Sequence, residues 1–244
     1  MKFYKPLIIV LLFSFINFES NLVFAQFKNI LKGIEKSISP KSSLTENEIV
    51  KGLKEALAIG IQDAIGNVSK LDGYYENPKI KVPLPSAIKK VEAILRGVGY
   101  GSKVDAFELS MNRAAEKAAP EAKSIFGDAI KQMSFSDARR ILEGKDNEAT
   151  LYLKDKTFNI LARTFEPIVH ESMSQVGVTH QYQDLNTKID SLPFTKPLSF
   201  DLNQYVTEGA LNGLFYMLAE EERKIRKDPA ARVNDLLKRV FGSQ

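Results

Sequence analysis

Glu166 and His170 stand four residues apart and would share one face of a helix. A carboxylate and an imidazole at this spacing can offer two ligands to a metal ion. A zinc site needs at least a third ligand, and the second histidine of the chain, His180, follows only after Gly177. We therefore expect an exposed Glu–His pair rather than a metal site, and we expect no cofactor.

A second group of polar residues, Asn112, Arg113 and Glu116, lies on one side of a strongly helical stretch, opposite its apolar stripe. If other helices cover that side, the three residues form a buried polar network or line a cleft. Buried polar groups are usually satisfied hydrogen-bonding partners, which favours a network that fixes the packing of helices. A hydrolytic cleft around the same residues is the alternative.

Tyr74 and Tyr75 lie on a segment flanked by glycine and proline, and they are the strongest candidates for a binding surface. Loops on rigid scaffolds often carry recognition, and tyrosine combines a large contact area with a polar tip. The equally weighted alternative is that both rings fasten the segment to the rest of the protein.

The composition excludes several classes of function. The chain has no cysteine, so disulfides, thiol nucleophiles and thiolate metal sites are absent. It contains no H-E-x-x-H, G-x-S-x-G or Walker motif. The net charge is +4 against 34 basic and 30 acidic residues, which is typical of a mixed, solvated surface and predicts no nucleic-acid partner.

The elements that would position these residues are helices. Residues 101–133 predict two helices that are broken at Pro120, with Ser102 as the expected N-cap of the first. Thr45 and Glu48 form a T-x-x-E capping box before a further apolar-periodic stretch. Ser136 is the expected cap of a short helix.

Two later helices follow the same rules. Pro167 should kink or restart the first of them, and Asp201 suits the N-cap of the second, which runs to about Lys227. The acidic pair Glu221 and Glu222 at the end of this helix is expected to be exposed and to favour solubility. A last helix is expected after Pro229.

Residues 72–85 form the least helical segment. Asp72-Gly73 and Asn77-Pro78 indicate turns, and the residues after them alternate between apolar and lysine or proline. We therefore predict an all-α fold, a compact multi-helix bundle of roughly eight to ten helices with one short extended or hairpin loop near residues 72–85.

The N-terminus predicts export. Lys2 and Lys5 precede a short hydrophobic run, and Ala25 ends a stretch that suits signal peptidase. We expect a signal peptide over residues 1–25 with cleavage after Ala25, a flexible lead-in over 26–43, and a single helical domain over 44–244 located in the periplasm. Retention of the first segment as an anchor is the alternative, and we expect no membrane span after cleavage.

Six blocks of the sequence resemble the bacterial exported domain-of-unknown-function 4197 family. These blocks are GLKEALAIGIQDAI (52–65), DGYYENPKIKVPLP (72–85), FELSMNRAAEKAAPEAKSIF (107–126), FSDARRIL (135–142), YVTEGALNGLFYML (205–218) and RKIRKDPAARVNDLLKRVF (223–241). The resemblance implies an all-helical exported protein and supplies no catalytic residues. Many members of the family look like lipoproteins, but this chain lacks the cysteine that lipid attachment needs.

These observations favour a non-enzymatic binding or interaction module of the cell envelope. Its partner would be an unidentified envelope protein or a small apolar ligand, with the loop from Tyr74 to Leu84 at the contact surface. The alternative is a hydrolase-like enzyme with a polar cleft around Asn112, Arg113 and Glu116. A purely structural envelope component is a third interpretation.

Overall fold

The computed structural model describes residues 45–175, 178–192, 200–228 and 238 of the 244-residue chain. In these ranges the chain is helical and contains no β-strand. The helices are α1 (Glu46–Ser69), α2 (Ser86–Gly97), α3 (Gly101–Ala118), α4 (Ala122–Gln132), α5 (Phe135–Glu143), α6 (Glu148–Gln175), α7 (Val178–Asp190) and α8 (Leu202–Lys227). The prediction of an all-α fold is confirmed for the described residues.

The predicted break at Pro120 is confirmed. A short 3₁₀ helix, Ala119–Glu121, joins α3 to α4 and has the proline in its first turn, where the missing backbone N–H costs least. The expected last helix after Pro229 and the expected signal peptide and lead-in lie outside the described residues. The total number of helices in the chain therefore stays a prediction.

Helix α3 forms the centre of the core. Its stripe is fully buried and consists of Val104, Phe107, Met111, Ala114, Ala115 and Ala118. Helices α6 and α8 pack against it and against each other, and α1 packs on α8. Gly60 of α1 permits a close approach, since its Cβ position lies 3.6 Å from Ile225 Cδ1 and 3.7 Å from Glu221 Cβ of α8.

Two of the predicted helix starts are confirmed. Thr45 and Glu48 form the reciprocal capping box of α1. Asp201 caps α8 by accepting a hydrogen bond from the Gln204 N–H. In both cases a short polar side chain satisfies a backbone N–H group of the first turn that lacks a partner within the helix.

Three other boundary predictions are wrong. The cap of α5 is Ser134, which forms a capping box with Asp137, and not Ser136. Helix α3 begins at Gly101 after Tyr100, which contributes no side-chain cap, so Ser102 is already inside the helix. Pro167 does not restart α6, which continues through it, and the alternative expectation of a kink there stays a prediction. Pro167 lies on the exposed side of that helix, where water can bind the carbonyl that a proline leaves unpaired.

Residues 70–85 connect α1 to α2 without a strand or a hairpin. Successive turns are closed by the Gly73 N–H to the Lys70 carbonyl at 2.9 Å and by the Lys81 N–H to the Asn77 carbonyl at 2.8 Å. The residues after Lys81 have no regular secondary structure until α2 begins. Backbone groups in such a segment need partners from elsewhere if they are buried. Helices α3 and α8 supply those partners.

Candidate functional site

Asn112 of α3 holds the second half of the connecting loop. Its side chain is fully buried, and its Oδ1 accepts a hydrogen bond from the Val82 N–H at 2.8 Å. Its Nδ2 donates to the Val82 carbonyl at 2.9 Å and to the Glu108 carbonyl at 2.8 Å. The amide thus pairs with both backbone groups of one loop residue, as a neighbouring strand would.

Glu116, one helical turn further along α3, holds the first half of the loop. Its Oε1 accepts from the backbone N–H groups of Tyr74 at 3.2 Å and Tyr75 at 3.4 Å. Its Oε2 accepts from Arg113 Nη1 at 2.7 Å, and Arg113 Nη2 donates to Asp72 Oδ1 at 2.7 Å. A buried carboxylate is stable only with such partners.

Electrostatics agree with this network. Burial alone would lower the pKa of Arg113, but its hydrogen bonds with Glu116 and Asp72 raise that pKa above its ordinary value. Asp72 itself adopts a left-handed backbone conformation with φ of 63°, which aspartate tolerates better than most residues. Its ion pair with Arg113 stabilises this turn.

Tyr74 fastens the loop to α8. Its ring is fully buried, and its hydroxyl donates to the Ala210 carbonyl at 2.6 Å. Gly213 leaves the room for this ring, since a Cβ atom there would lie 2.5 Å from Tyr74 Cε1 and 3.1 Å from Ile80 Cβ. Burial, with a contribution from the Glu116 carboxylate, raises the pKa of Tyr74 far above its usual range, so the hydroxyl stays protonated.

The structure therefore brings together all five residues that the sequence singled out for binding: Tyr74, Tyr75, Asn112, Arg113 and Glu116. Together they hold the loop in place, because the polar atoms of the buried members form hydrogen bonds with each other and with the loop backbone. Both end residues of the expected contact surface from Tyr74 to Leu84 are buried, and contact with a partner through the residues between them stays a prediction.

Part of the loop does remain accessible. Leu71 is 72% exposed, and Tyr75 is half-buried. Lys81 Nζ lies 4.1 Å from the centroid of the Tyr75 ring and 2.7 Å from Glu108 Oε2. The loop thus presents one large apolar side chain to solvent from a backbone that is held on both sides.

The predicted Glu–His pair on α6 is exposed. Glu166 and His170 both face solvent, and the His170 Nδ1 lies 3.2 Å from Asn203 Nδ2 of α8. His180 is also exposed, with Nδ1 3.5 Å from Asp184 Oδ2. Within the described ranges, no group of three or more histidine, aspartate or glutamate residues is arranged to hold a metal ion.

The prediction that Glu221 and Glu222 are exposed is wrong, since Glu221 is 6% exposed and Glu222 is buried as well. It is 7% exposed rather than solvated, and its carboxylate accepts from the N–H groups of Ala149 at 3.0 Å and Thr150 at 2.9 Å. Arg226 Nε donates to it at 3.0 Å. It therefore closes the N-terminus of α6 from a distant helix. In the sequence, only the spacing of Glu222 and Arg226 indicated that Glu222 would have a partner.

A groove between α4, α5 and α6 was also missed. It has a volume of about 470 Å³ and contains Tyr152, Lys156 and Ile160 of α6 and Ile125 and Ala129 of α4. No sequence motif indicates this groove, because its residues come from three helices and include no familiar catalytic or metal-binding spacing.

No helix in the described part of the chain combines the length and the apolar character that crossing a bilayer requires. No curated protein matches the sequence, and no solved structure does. Residues 43–242 match the family described as "Protein of unknown function (DUF4197)". Since that match covers most of the 244 residues, the chain belongs to the DUF4197 family.

Proposed function

We propose that this protein is an exported, non-enzymatic binding module of the cell envelope, and that it contacts a protein partner through the exposed edge of the loop between α1 and α2. The observation that carries the proposal is Leu71, a large apolar side chain that is 72% exposed on an otherwise anchored loop. A single exposed leucine is ordinary on a protein surface, but one on a backbone held in place can serve as an anchor in a partner's pocket at a lower entropic cost.

The anchoring lowers the entropy that binding would cost. Asp72, next to Leu71, is held by Arg113, and the following backbone N–H groups are held by Glu116. A preorganised loop loses less conformational freedom on association than a flexible one, so more of the contact energy appears as affinity. The buried network would therefore support binding by keeping the exposed Leu71 in place.

Exposed lysines of the loop indicate the chemistry of the partner. Lys70 is exposed and forms no ion pair within the described residues. Lys79 is exposed as well, with its nearest carboxylate, Glu220, at 3.9 Å. A partner that offers an apolar pocket with an acidic rim would match this surface. A convex loop cannot enclose a small apolar ligand, which needs a concave site.

The hydrolase alternative has no comparable support. Asn112 and Glu116 already use their polar atoms on the loop backbone and on Arg113. A general base or an oxyanion donor must be accessible to a substrate. The contacts of these residues favour a supporting role.

The contact surface can be tested by photo-crosslinking in the producing cell. A benzoylphenylalanine residue in place of Leu71 should yield one discrete crosslinked protein species. The matched control carries the same residue in place of Leu151 of α6, which is 46% exposed and lies away from the loop. The Leu71→Asp variant should fail to compete for the partner, whereas Leu151→Asp should compete normally. Identical crosslinks at both positions would contradict the proposal.

Export is tested separately by the mass of the protein recovered from the periplasmic fraction. Cleavage after Ala25 predicts a mature chain that begins at Gln26. A full-length chain recovered from the membrane fraction would instead support the retained anchor. A full-length chain in the cytoplasm would contradict the envelope assignment.

A further inference from the structure

The groove between α4, α5 and α6 contains a buried tyrosine whose hydroxyl has no protein partner. Tyr152 is 5% exposed, and it lines the groove. Its hydroxyl forms no hydrogen bond with any residue in the described ranges. The fully buried side-chain polar atom without a partner in those ranges is Thr207 Oγ1, so the Tyr152 hydroxyl reaches the open groove, where water or a ligand can accept its hydrogen bond.

The hydroxyl of Tyr152 is a donor at neutral pH. Burial raises the pKa of Tyr152, the Asp137 carboxylate raises it further, and Arg140 acts in the opposite direction. The proton therefore stays on the oxygen and is available to a ligand that accepts a hydrogen bond. Carboxylate oxygens are strong acceptors of this kind.

The carboxylates at the rim of the groove are already paired. Asp137 accepts from the Ser134 N–H at 3.1 Å and from Ser134 Oγ at 2.6 Å, and Asp128 Oδ1 lies 3.0 Å from Lys131 Nζ. Arg140 Nη2 also lies 3.6 Å from Asp137 Oδ1, so each aspartate has a cation that offsets its negative charge.

Lys156 has the weakest pairing of the cations at this site. Its closest carboxylate is that of its chain neighbour Asp155, at 3.7 Å. It also contributes to lowering the pKa of Asp137, but from beyond ion-pair distance. An exposed ammonium group whose ion pair is with an exposed neighbouring carboxylate can accept a further anion at little desolvation cost.

Apolar side chains form the remaining walls. Ile160 is 46% exposed although it adjoins the groove, and Ile125 and Ala129 of α4 are half-buried. A hydrocarbon chain lying against these residues would remove apolar surface from water on both sides. The volume of about 470 Å³ falls in the range of small-molecule sites.

We propose that this groove binds a small amphipathic carboxylate. Tyr152 Oη and Lys156 Nζ hold the carboxylate, and the hydrocarbon chain lies against Ile125, Ala129 and Ile160. This site is separate from the loop that carries Leu71, so either proposal can fail without the other.

The test uses decanoate as the probe and the whole mature protein. Isothermal titration calorimetry measures the binding. Tyr152→Phe keeps the ring and removes the hydroxyl, so the affinity should fall about tenfold, as expected for one charge-assisted hydrogen bond. Lys156→Gln should weaken binding by a similar factor. The matched controls are Tyr216→Phe, at a partly exposed tyrosine on α8, and Lys123→Gln, at an exposed lysine on α4; neither should change the affinity.

Two further arms separate the parts of the proposal. Decanol carries the same chain without the carboxylate and should bind much more weakly than decanoate. Ala129→Leu fills the groove from α4 and should abolish binding, while its thermal unfolding shows that the variant folds. Equal binding of decanol and decanoate, undiminished binding by Tyr152→Phe, or no decanoate binding by the unmodified protein would each overturn the proposal.

Discussion

Two tyrosines show how the loop and the groove differ. Tyr74 and Tyr152 are both almost completely buried, but within the described ranges only Tyr74 has a protein acceptor for its hydroxyl, the Ala210 carbonyl at 2.6 Å. In the loop every strong polar group of the network has a partner, which is typical of structural support. In the groove one polar group is left over. This difference indicates that the pairing of a polar side chain, more than its burial, distinguishes a structural residue from a binding residue.

The two regions also differ in how the chain builds them. The loop is held by residues far away in sequence, since Asn112 binds a residue 30 positions earlier and Glu116 one 42 positions earlier. The groove is built from α4, α5 and α6, which follow one another in the chain. Damage to the loop should therefore affect the stability of the whole fold, while changes in the groove should affect binding.

The largest effect is expected from Asn112→Ala. The change leaves the buried N–H and carbonyl of Val82 without their partners and should lower the free energy of unfolding by about 3 kcal/mol. Urea denaturation measures this loss. The matched control, Asn159→Ala on the exposed side of α6, should change stability by less than about 0.5 kcal/mol. Equal effects at both sites would show that the amide of Asn112 does not hold the loop.

The next effect concerns two glycines in helices. Gly213→Ala forces a Cβ atom against Tyr74 and Ile80 and should destabilise the protein by about 2 kcal/mol through overpacking. Gly127→Ala in α4 meets no atom within 4 Å and should stabilise the protein by about 0.5 to 1 kcal/mol through helix propensity. Thermal unfolding of both variants gives opposite signs. A stabilising Gly213→Ala would mean that the ring of Tyr74 can move away.

The sequence predicted local features well. The all-α class, the break at Pro120 and the caps at Thr45 and Asp201 depend on residues within one or two turns of each other, and the structure confirms them. Where two local candidates competed, the prediction was less secure. Ser134 precedes α5 and Ser136 lies in its first turn, and only Ser134 stands three residues before an acidic partner that completes the capping box.

Long-range pairing could not be predicted from one sequence. Glu222 reads as an exposed acid at the end of a helix, yet it closes the N-terminus of α6, 72 residues away from its partner Thr150. The same limit applies to the candidate site. Asn112, Arg113 and Glu116 were correctly grouped by their helical spacing, but nothing local indicated that the loop backbone would use them. No sequence pattern singled out Tyr152, because its interest as a binding residue depends on the hydrogen-bond partner that its hydroxyl lacks in the described part of the structure.

A smaller effect compares the two tyrosines directly. Tyr74→Phe removes the hydrogen bond to the Ala210 carbonyl and should cost about 1 kcal/mol of stability. Tyr152→Phe removes a hydroxyl without a protein partner and should leave the free energy of unfolding within about 0.3 kcal/mol of its original value. Urea denaturation of the two variants, in the absence of any ligand, makes the comparison. If Tyr152→Phe lowered the free energy of unfolding as much as Tyr74→Phe, the two hydroxyls would both be structural, and the proposed difference between the loop and the groove would be wrong.

The smallest effect depends on pH and lies at the rim of the groove. The hydrogen bonds from the Ser134 side chain and backbone lower the pKa of Asp137 below its ordinary value. The charged form therefore stabilises the folded state above about pH 4, and this contribution is lost as the pH falls through the lowered pKa. Asp137→Asn should cost about 0.5 kcal/mol at pH 7, and its difference from the unmodified protein should shrink toward zero as the pH falls below the lowered pKa of Asp137. Thermal unfolding at several pH values follows this difference, with Asp63→Asn on the exposed side of α1 as a surface control. A difference that stays constant over the acidic range would mean that the charge of Asp137 does not stabilise the capping box of α5. That charge would then also contribute nothing to stability beside Lys156, which is proposed to receive an anion.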